Sequence, residues 1–292
     1  MTGYKIIENY RDDKNLRESF FVFTKKVFKS YDFKIWYDKG FWLDEFIPHS
    51  IIKDGEIISN VCISKMKIYV NGEIKNGLQY STVGTLPEYR KQGLSNELMN
   101  YVLDKYKTWA DVHFLFGNNN VLNFYPLFGF KLYNEVVFRN LTELPKENYS
   151  ARKLNLTNAD DYQLIKDKIE KRKPITKLFG AEDYGFITHW HLWNIFPKDI
   201  YYLNEEDLII IATVENNELH LWDIIFGKDF NLSSAVSKII KEKVTAVNYY
   251  FTPDIIKFNY DEIGQIDNSP LFIRENLELK EKYFKFPVTA QT

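Results

Sequence analysis

The stretch Val83-Gly84-Thr85-Leu86-Pro87-Glu88-Tyr89-Arg90-Lys91-Gln92-Gly93-Leu94-Ser95-Asn96-Glu97-Leu98-Met99 changes period halfway along. Up to Thr85 it is the end of a strand-like run. From there Leu94, Leu98, Val102 and Tyr106 recur every four residues, with Met99 and Leu103 widening the stripe, so the spacing predicts a helix. A strand that turns straight into a helix leaves unpartnered N–H groups and the positive end of the helix dipole near residues 91–96. Such a terminus binds anions. Gly93 lets the backbone approach a phosphate closely, Ser95 is small and adds a hydroxyl, and Arg90 and Lys91 bring positive charge. The plainer alternative is an ordinary helix start with solvated charges. The coincidence of glycine, small residue and positive charge favours a pyrophosphate cradle. Neither GK[ST] nor GxGxxG occurs, so this is not a Walker loop or a dinucleotide fingerprint.

Working outward, three strand-like runs precede the motif, at residues 49–53, 56–70 and 73–85. They are joined at Asp54-Gly55 and Asn71-Gly72, both hairpin signals. Ahead of them lie a short strand at 4–8, a helix at 15–29 and a loop-rich aromatic stretch at 31–48 that holds a second helix in one reading. After the motif helix come a strand at 112–116, a short helix at 119–128 stopped by Gly129, and a strand at 130–139. Residues 140–152 read as a connector. The order then restarts: strand 153–156, a helix to Arg172 opened by Asn158 as N-cap, a helix at 186–196, strands at 200–203, 207–214 and 218–226 with Asn216-Asn217 as a tight turn, helix 231–241 and strand 244–251. Residues 270–279 and 283–287 close the chain. The repeated order implies two similar domains in tandem, 1–145 and 150–292. The fold class is α/β (α+β), each domain a mixed, mostly antiparallel sheet flanked by helices.

Composition agrees. A length of 292 residues is a prior for two domains. Hydrophobic residues at 45% and charged residues at 27% exclude a disordered chain or a fibre. Phe 23, Tyr 20 and Trp 6 make up 17%, an aromatic excess. Lys+Arg 38 against Asp+Glu 40 leaves no basic surplus for nucleic acid. Cys62 is alone, so disulfides and thiolate zinc clusters are excluded and a cytoplasmic setting is expected. Residues 1–14 lack the apolar core of a signal peptide, and the longest apolar run, 208–214, is too short to span a membrane.

With Arg90-Lys91-Gln92-Gly93-Leu94-Ser95, the motif resembles the R/Q-x-x-G-x-G/A cofactor motif of the GNAT superfamily of N-acetyltransferases; Ser95 is the departure. Downstream, Asn118 opens a stretch ending Asn123-Phe124-Tyr125-Pro126-Leu127-Phe128-Gly129-Phe130, similar to that family's N-…-FY-x-x-x-GF. The resemblance covers residues 4–139, and the wording is closest to the Eis-like branch, which places a degenerate GNAT domain after the first. Eis-like proteins usually carry a third domain as well, for which this chain is too short.

The resemblance implies acetyl-CoA as co-substrate and N-acetyl transfer to a primary amine of a small molecule or a lysine side chain. It implies that Val83, Gly84 and Thr85 border the pantetheine arm and that Arg90, Lys91, Gln92, Gly93, Leu94, Ser95 and Asn96 hold the pyrophosphate. Asn118 or Asn119 would touch the pantetheine or adenosine end. Tyr125 aligns with the general acid; a phenol near pKa 10 can protonate a thiolate whose conjugate acid lies near 8.5. Its alternative is an aromatic anchor.

The general base is open. His113 reads more simply as a strand residue, and Asp44 and Glu45 as solvated loop carboxylates near the acceptor. The resemblance also implies a proton-transfer purpose for a C-terminal carboxylate, here Thr292; a relayed water is the blander option. Cys62 reads as a small buried hydrophobe. His189 and His191 lack a third ligand, so no metal is expected. The aromatic stretch 31–46 either stacks on the acceptor or packs the core. In the second half the matching junction, residues 226–234, has Asp229 where an anion would sit, so no second cofactor site is expected there. A non-catalytic acyl-CoA sensor is the runner-up function; a tRNA-dependent aminoacyl transferase of the Fem type fits the intact cradle less well. No membrane partner is expected, and a homo-oligomer stays open.

Overall fold

The structure is a computed structural model that describes residues 4–29, 31–144, 149–256, 260–264 and 269–292. In chain order the first half runs β1 (Lys5–Glu8), α1 (Lys14–Phe28), α2 (Phe33–Asp38), β2 (Phe46–Lys53), β3 (Glu56–Val70), β4 (Glu73–Thr85), α3 (Leu94–Tyr106), β5 (Val112–Phe116), β6 (Lys131–Tyr133) and β7 (Val137–Leu144). The rest runs β8 (Arg152–Lys153), α4 (Ala159–Glu170), β9 (Phe179–Glu182), α5 (Gly185–Asn194), β10 (Ile200–Leu203), β11 (Leu208–Glu215), β12 (Glu218–Ile225), α6 (Leu232–Ser237), β13 (Val244–Tyr249), β14 (Glu262–Gly264) and β15 (Leu271–Ile273). The class is α+β with two mixed sheets, each the centre of one domain. The meander forms as its turns dictate: Asn71 and Gly72 both have positive φ, as do Asn216 and Asn217, the geometry that two-residue hairpin turns require.

The first sheet has the order β1-β2-β3-β4-β5-β15-β6, with β9 on the edge of β3; the second has the order β14-β7-β13-β12-β11-β10-β8. Each path contains one parallel pair, β4 with β5 and β12 with β13; its other pairs are antiparallel. The two patterns match strand for strand, with one exchange. The place between β5 and β6 is filled by β15 from the end of the chain, and the matching place between β13 and β14 is filled by β7 from the first half.

That exchange departs from the sequence reading in three ways. The strand expected at 130–139 is two strands in different sheets, broken at residues 134–136. Part of the connector expected at 140–152 is paired strand, because Phe138 to Leu144 runs along β13. Residues 271–273 belong to the first sheet, so the boundary drawn between 145 and 150 does not separate the two cores. Residues 119–128 form two 3-10 turns, Asn119–Val121 and Tyr125–Phe128, in place of a helix; Pro126 allows no longer run. Helices α1 and α4 begin where expected, capped by Asp13 and Asn158.

Candidate functional site

Strand β4 pairs with β5 only from Gly77 to Tyr80. Beyond Tyr80 the two diverge, so residues 81–85 keep an edge that no described strand covers. The divergence has a local cause. Between the pairs Cys62↔Ser81 and Asn60↔Gly84 the register slips by one residue, a bulge at Thr82 and Val83. Thr82 has φ 45, and the buried Asn60 amide holds it there, donating to Thr82 O at 3.0 Å and Oγ1 at 3.1 Å. Gly84 is a glycine for packing: a Cβ there would lie 2.8 Å from Val27 of α1.

The free edge leads directly into the start of α3. Lys91 and Gly93 both have positive φ, so the chain winds tightly before the helix. Gly93 is the N-cap residue, no side chain caps the helix, and a Cβ on Gly93 would project into open space. The first intrahelical bond in the cap region is Glu97 N to Gly93 O, which leaves the N–H groups of Leu94, Ser95 and Asn96 directed at the cradle. Arg90 Nε donates to Thr85 O at 3.2 Å and closes the loop. The Ser95 hydroxyl is turned to Thr85 Oγ1, 2.7 Å away, and Thr85 to Ser59. The hydroxyl thus ties α3 to β4, so its expected service as an extra donor to the anion gives way to this tie. Backbone N–H groups, glycine and two exposed cations fit a pyrophosphate.

At the other end of the free edge lies a cavity between β4, α2 and α5. It encloses about 30 Å³, room for a water or two, and is lined by Phe33, Trp36, Phe46, Ser81, Thr82, Phe186, Ile187, Trp190 and Thr292. No charged side chain is among them. Ser81 Oγ and Trp190 Nε1 are buried without a hydrogen-bond partner. Trp36 Nε1 is satisfied by Phe186 O at 2.7 Å. The aromatic stretch therefore divides. Phe33, Trp36 and Phe46 reach the cavity, whereas Trp42 packs against Phe20 and Phe21, and Phe41 stacks on His189 with centroids 3.7 Å apart.

A buried polar network carries residues 284–292 to this cavity. Arg172 donates to both oxygens of Asp223 at 2.7 and 3.0 Å, and Thr289 Oγ1 donates to the same carboxylate. His191 Nε2 donates to Gln291 O at 2.7 Å. Gln79 gives Nε2 to Ala290 O at 2.9 Å and accepts at Oε1 from Thr292 N and Oγ1. Thr292, named above through the Eis-like resemblance, thus reaches the cavity wall. Sequence reasoning missed Gln79, Ser81, Asp223 and Trp190; Asp223, inside a strand of otherwise apolar inward positions, was the one signal available.

Tyr125 lies at the turn after β5, packed by Phe124, Phe130 and Phe272, and burial raises its phenol above the ordinary value. Asn118 caps the preceding turn, accepting from Asn120 N, and Asn119 is exposed beside it. His113 is buried, bonded through Nδ1 to Tyr80 Oη at 2.8 Å, and desolvation lowers its pKa to about 4. Burial pushes the Cys62 thiol up to about 12, which makes it inert. Asp44 and Glu45 line a separate cavity of about 420 Å³ with Glu182 and Asp183. His189 and His191 sit in the core, and among the described residues no group of three ligating side chains could hold a metal. Also among them, no helix is long and apolar enough to cross a membrane. In the second domain the junction before α6 differs from the cradle: Asn231 Oδ1 caps Ser234 N, and Asp229 is exposed beside Lys173.

Comparison with known proteins agrees with this geometry. A family model described as an acetyltransferase (GNAT) domain matches residues 15–133. No curated protein sequence matches the chain. Among solved structures, a conserved protein from Enterococcus faecalis V583 superposes with a TM-score of 0.59 at 13% identity, over 92% of this chain and 71% of that one. A GCN5-related N-acetyltransferase from Anabaena variabilis ATCC 29413 gives 0.56 at 14% identity, over 92% and 72%. Eis1 from Mycobacterium abscessus gives 0.55 at 11% identity, over 84% and 65%.

Proposed function

We propose, from the match of residues 15–133 to an acetyltransferase (GNAT) domain, that the protein is a GNAT-type enzyme that moves an acetyl group from acetyl-CoA to a primary amine of a small molecule or a lysine side chain. One observation carries the reading: the uncapped start of α3 at Gly93 continues, along the free edge of β4, into the cavity at Ser81 and Thr82. An acyl-CoA spans such a path with its pyrophosphate on residues 90–96 and its pantetheine arm beside Val83, Gly84 and Thr85, and Asn118 and Asn119 border the arm from the far side.

Bound acetyl-CoA supplies a thioester carbonyl; the amine nitrogen attacks it, the C–N bond forms, the C–S bond breaks, one proton leaves the nitrogen and one reaches the sulfur. Tyr125 gives that second proton. Burial keeps the phenol in its protonated, donor form and also makes it a weaker acid than a free phenol, so the assignment rests on the motif match. No lining side chain is a carboxylate or an imidazole, and Thr292, to whose main-chain carboxylate the Eis-like resemblance gives a proton-transfer purpose, is in the wall. The amine's proton therefore passes to water, relayed along Ser81, Thr82 and Thr292. The second domain binds no acyl-CoA, since Asn231 occupies the helix N–H group that a phosphate would need. Its contribution is α5 and residue 292 as cavity walls.

Acetyl-CoA should raise the melting temperature with a stoichiometry of one per chain, and Gly93→Glu should abolish the shift. Tyr125→Phe should lower thiol release about 100-fold or more while acetyl-CoA affinity stays within about twofold. An unchanged rate removes the acid role. Binding without release on any amine turns the reading to an acyl-CoA sensor.

A further inference from the structure

The small size of the cavity at the end of the β4 edge bears on the acyl donor. Six apolar side chains form most of its wall: Phe33 and Trp36 of α2, Phe46 of β2, and Phe186, Ile187 and Trp190 of α5. The surface turned to the empty space is apolar throughout, and that space is about 30 Å³. Water needs two to four polar partners, so an apolar void of this kind stays dry. A methyl group, about the size of a water molecule, fills it without burying a polar atom and gives the wall the contacts it lacks. A longer chain needs the wall to move. Five of the six side chains are buried. Trp36 meets Phe46 with ring centroids 5.1 Å apart, Phe33 meets Trp190 at 6.1 Å, and Trp36 Nε1 is tied to Phe186 O at 2.7 Å. Forcing extra methylenes into so interlocked a wall drives side chains off their rotamers.

Three of the six come from the second half of the chain. Phe186 and Ile187 nevertheless belong to the core of the first domain, and α5 is held in place by His191 Nε2 on Gln291 O. We propose that α5 gauges acyl length: Phe186 and Ile187, with Phe33, Trp36 and Phe46 opposite, admit the methyl of an acetyl group, at most an ethyl, and turn away longer acyl chains. Every acyl-CoA carries the same pyrophosphate and pantetheine, so the cradle and the β4 edge cannot choose among acyl groups, and this cavity can. The inference rests on an acyl-CoA lying along that edge.

Isothermal titration of the full-length protein with CoA and with acetyl-, propionyl-, butyryl- and octanoyl-CoA reads the gauge with no amine present. Acetyl-CoA should bind tightest, propionyl-CoA within about threefold of it, and butyryl- and octanoyl-CoA about tenfold or more weaker, since a longer chain loses the buried methyl or strains the wall. Ile187→Ala removes three carbons from the wall; butyryl-CoA should come within about twofold of acetyl-CoA while CoA itself binds as before. Ile187→Phe fills the space; acetyl-CoA should fall to the level of butyryl-CoA. A thermal melt checks that each variant is folded, and Phe186→Leu replaces Ile187→Ala if that variant is not. Butyryl- or octanoyl-CoA binding the unaltered protein as tightly as acetyl-CoA overturns the gauge and leaves the cradle standing. An acyl preference unchanged in both the enlarged and the filled variant overturns its assignment to α5. Failure of all five ligands, CoA included, to bind at millimolar concentration removes the acyl-CoA reading itself.

Discussion

Three histidines are held neutral in the folded protein by burial. Desolvation lowers His113 and His191 to about 4 and His189 to about 3, all from an ordinary value of 6.5. The unfolded chain therefore takes up protons first as pH falls. Their contribution to stability is complete above about pH 6.5 and is lost as pH drops toward 4. The urea midpoint should fall steadily between pH 7 and pH 5, and His189→Phe, which keeps a ring against Phe41, should flatten the fall. A midpoint constant over that range would contradict the neutral assignment. At this scale the candidate site was legible in the sequence where it is built from local motifs. Arg90, Gly93 and Tyr125 sit in motifs whose spacing is set by one turn of chain. Ser81, Trp190 and Thr292 are spread over more than two hundred residues of chain, and no local pattern brings them to one cavity.

Two helix starts carry the difference between the domains. At α3 the N-cap is Gly93 in left-handed geometry, with its N–H groups uncovered; at α6 the N-cap is Asn231, whose own side chain fills the place. The sequence reading marked Asp229 at the second junction; the structure shows that Asn231 is the residue whose side chain fills the place. The segment 284–292 was not legible, because its anchors are side chains of β4, α5 and β12. Asp223 is the central anchor, fully buried between Arg172 and Thr289. Asp223→Ala should lower stability by about 3–5 kcal/mol, since it leaves the Arg172 charge buried alone. The double change Arg172→Met with Asp223→Leu should recover most of that stability and still raise KM for the amine, because Thr289 loses its tether. Recovery of both would mean the pair serves folding only.

The whole molecule is two sheets that have traded a strand. Strand β7 closes the second sheet and β15 the first, and β9 adds a further strand of the second half to β3. Neither sheet is complete without the other half of the chain. Calorimetry should show one cooperative transition with equal calorimetric and van't Hoff enthalpies; two resolved transitions would mean that the halves fold separately. The repeat itself was legible, since each half spells the same order of periods. The trade was not. Strands exchanged between equivalent places have the same hydrophobic pattern as strands that stay home, and only pairing distinguishes them.

The position of β15 also sets a timetable for synthesis. When the residues of the cradle and of Tyr125 have left the ribosome, β5 and β6 still face an empty slot between them. The strand that fills it follows about 140 residues later, on the order of ten seconds at about 5–20 residues per second. During that interval the nascent first sheet offers two bare edges, a template for pairing with another chain. Those two edges stay unpaired until residues 271–273 emerge to fill the slot.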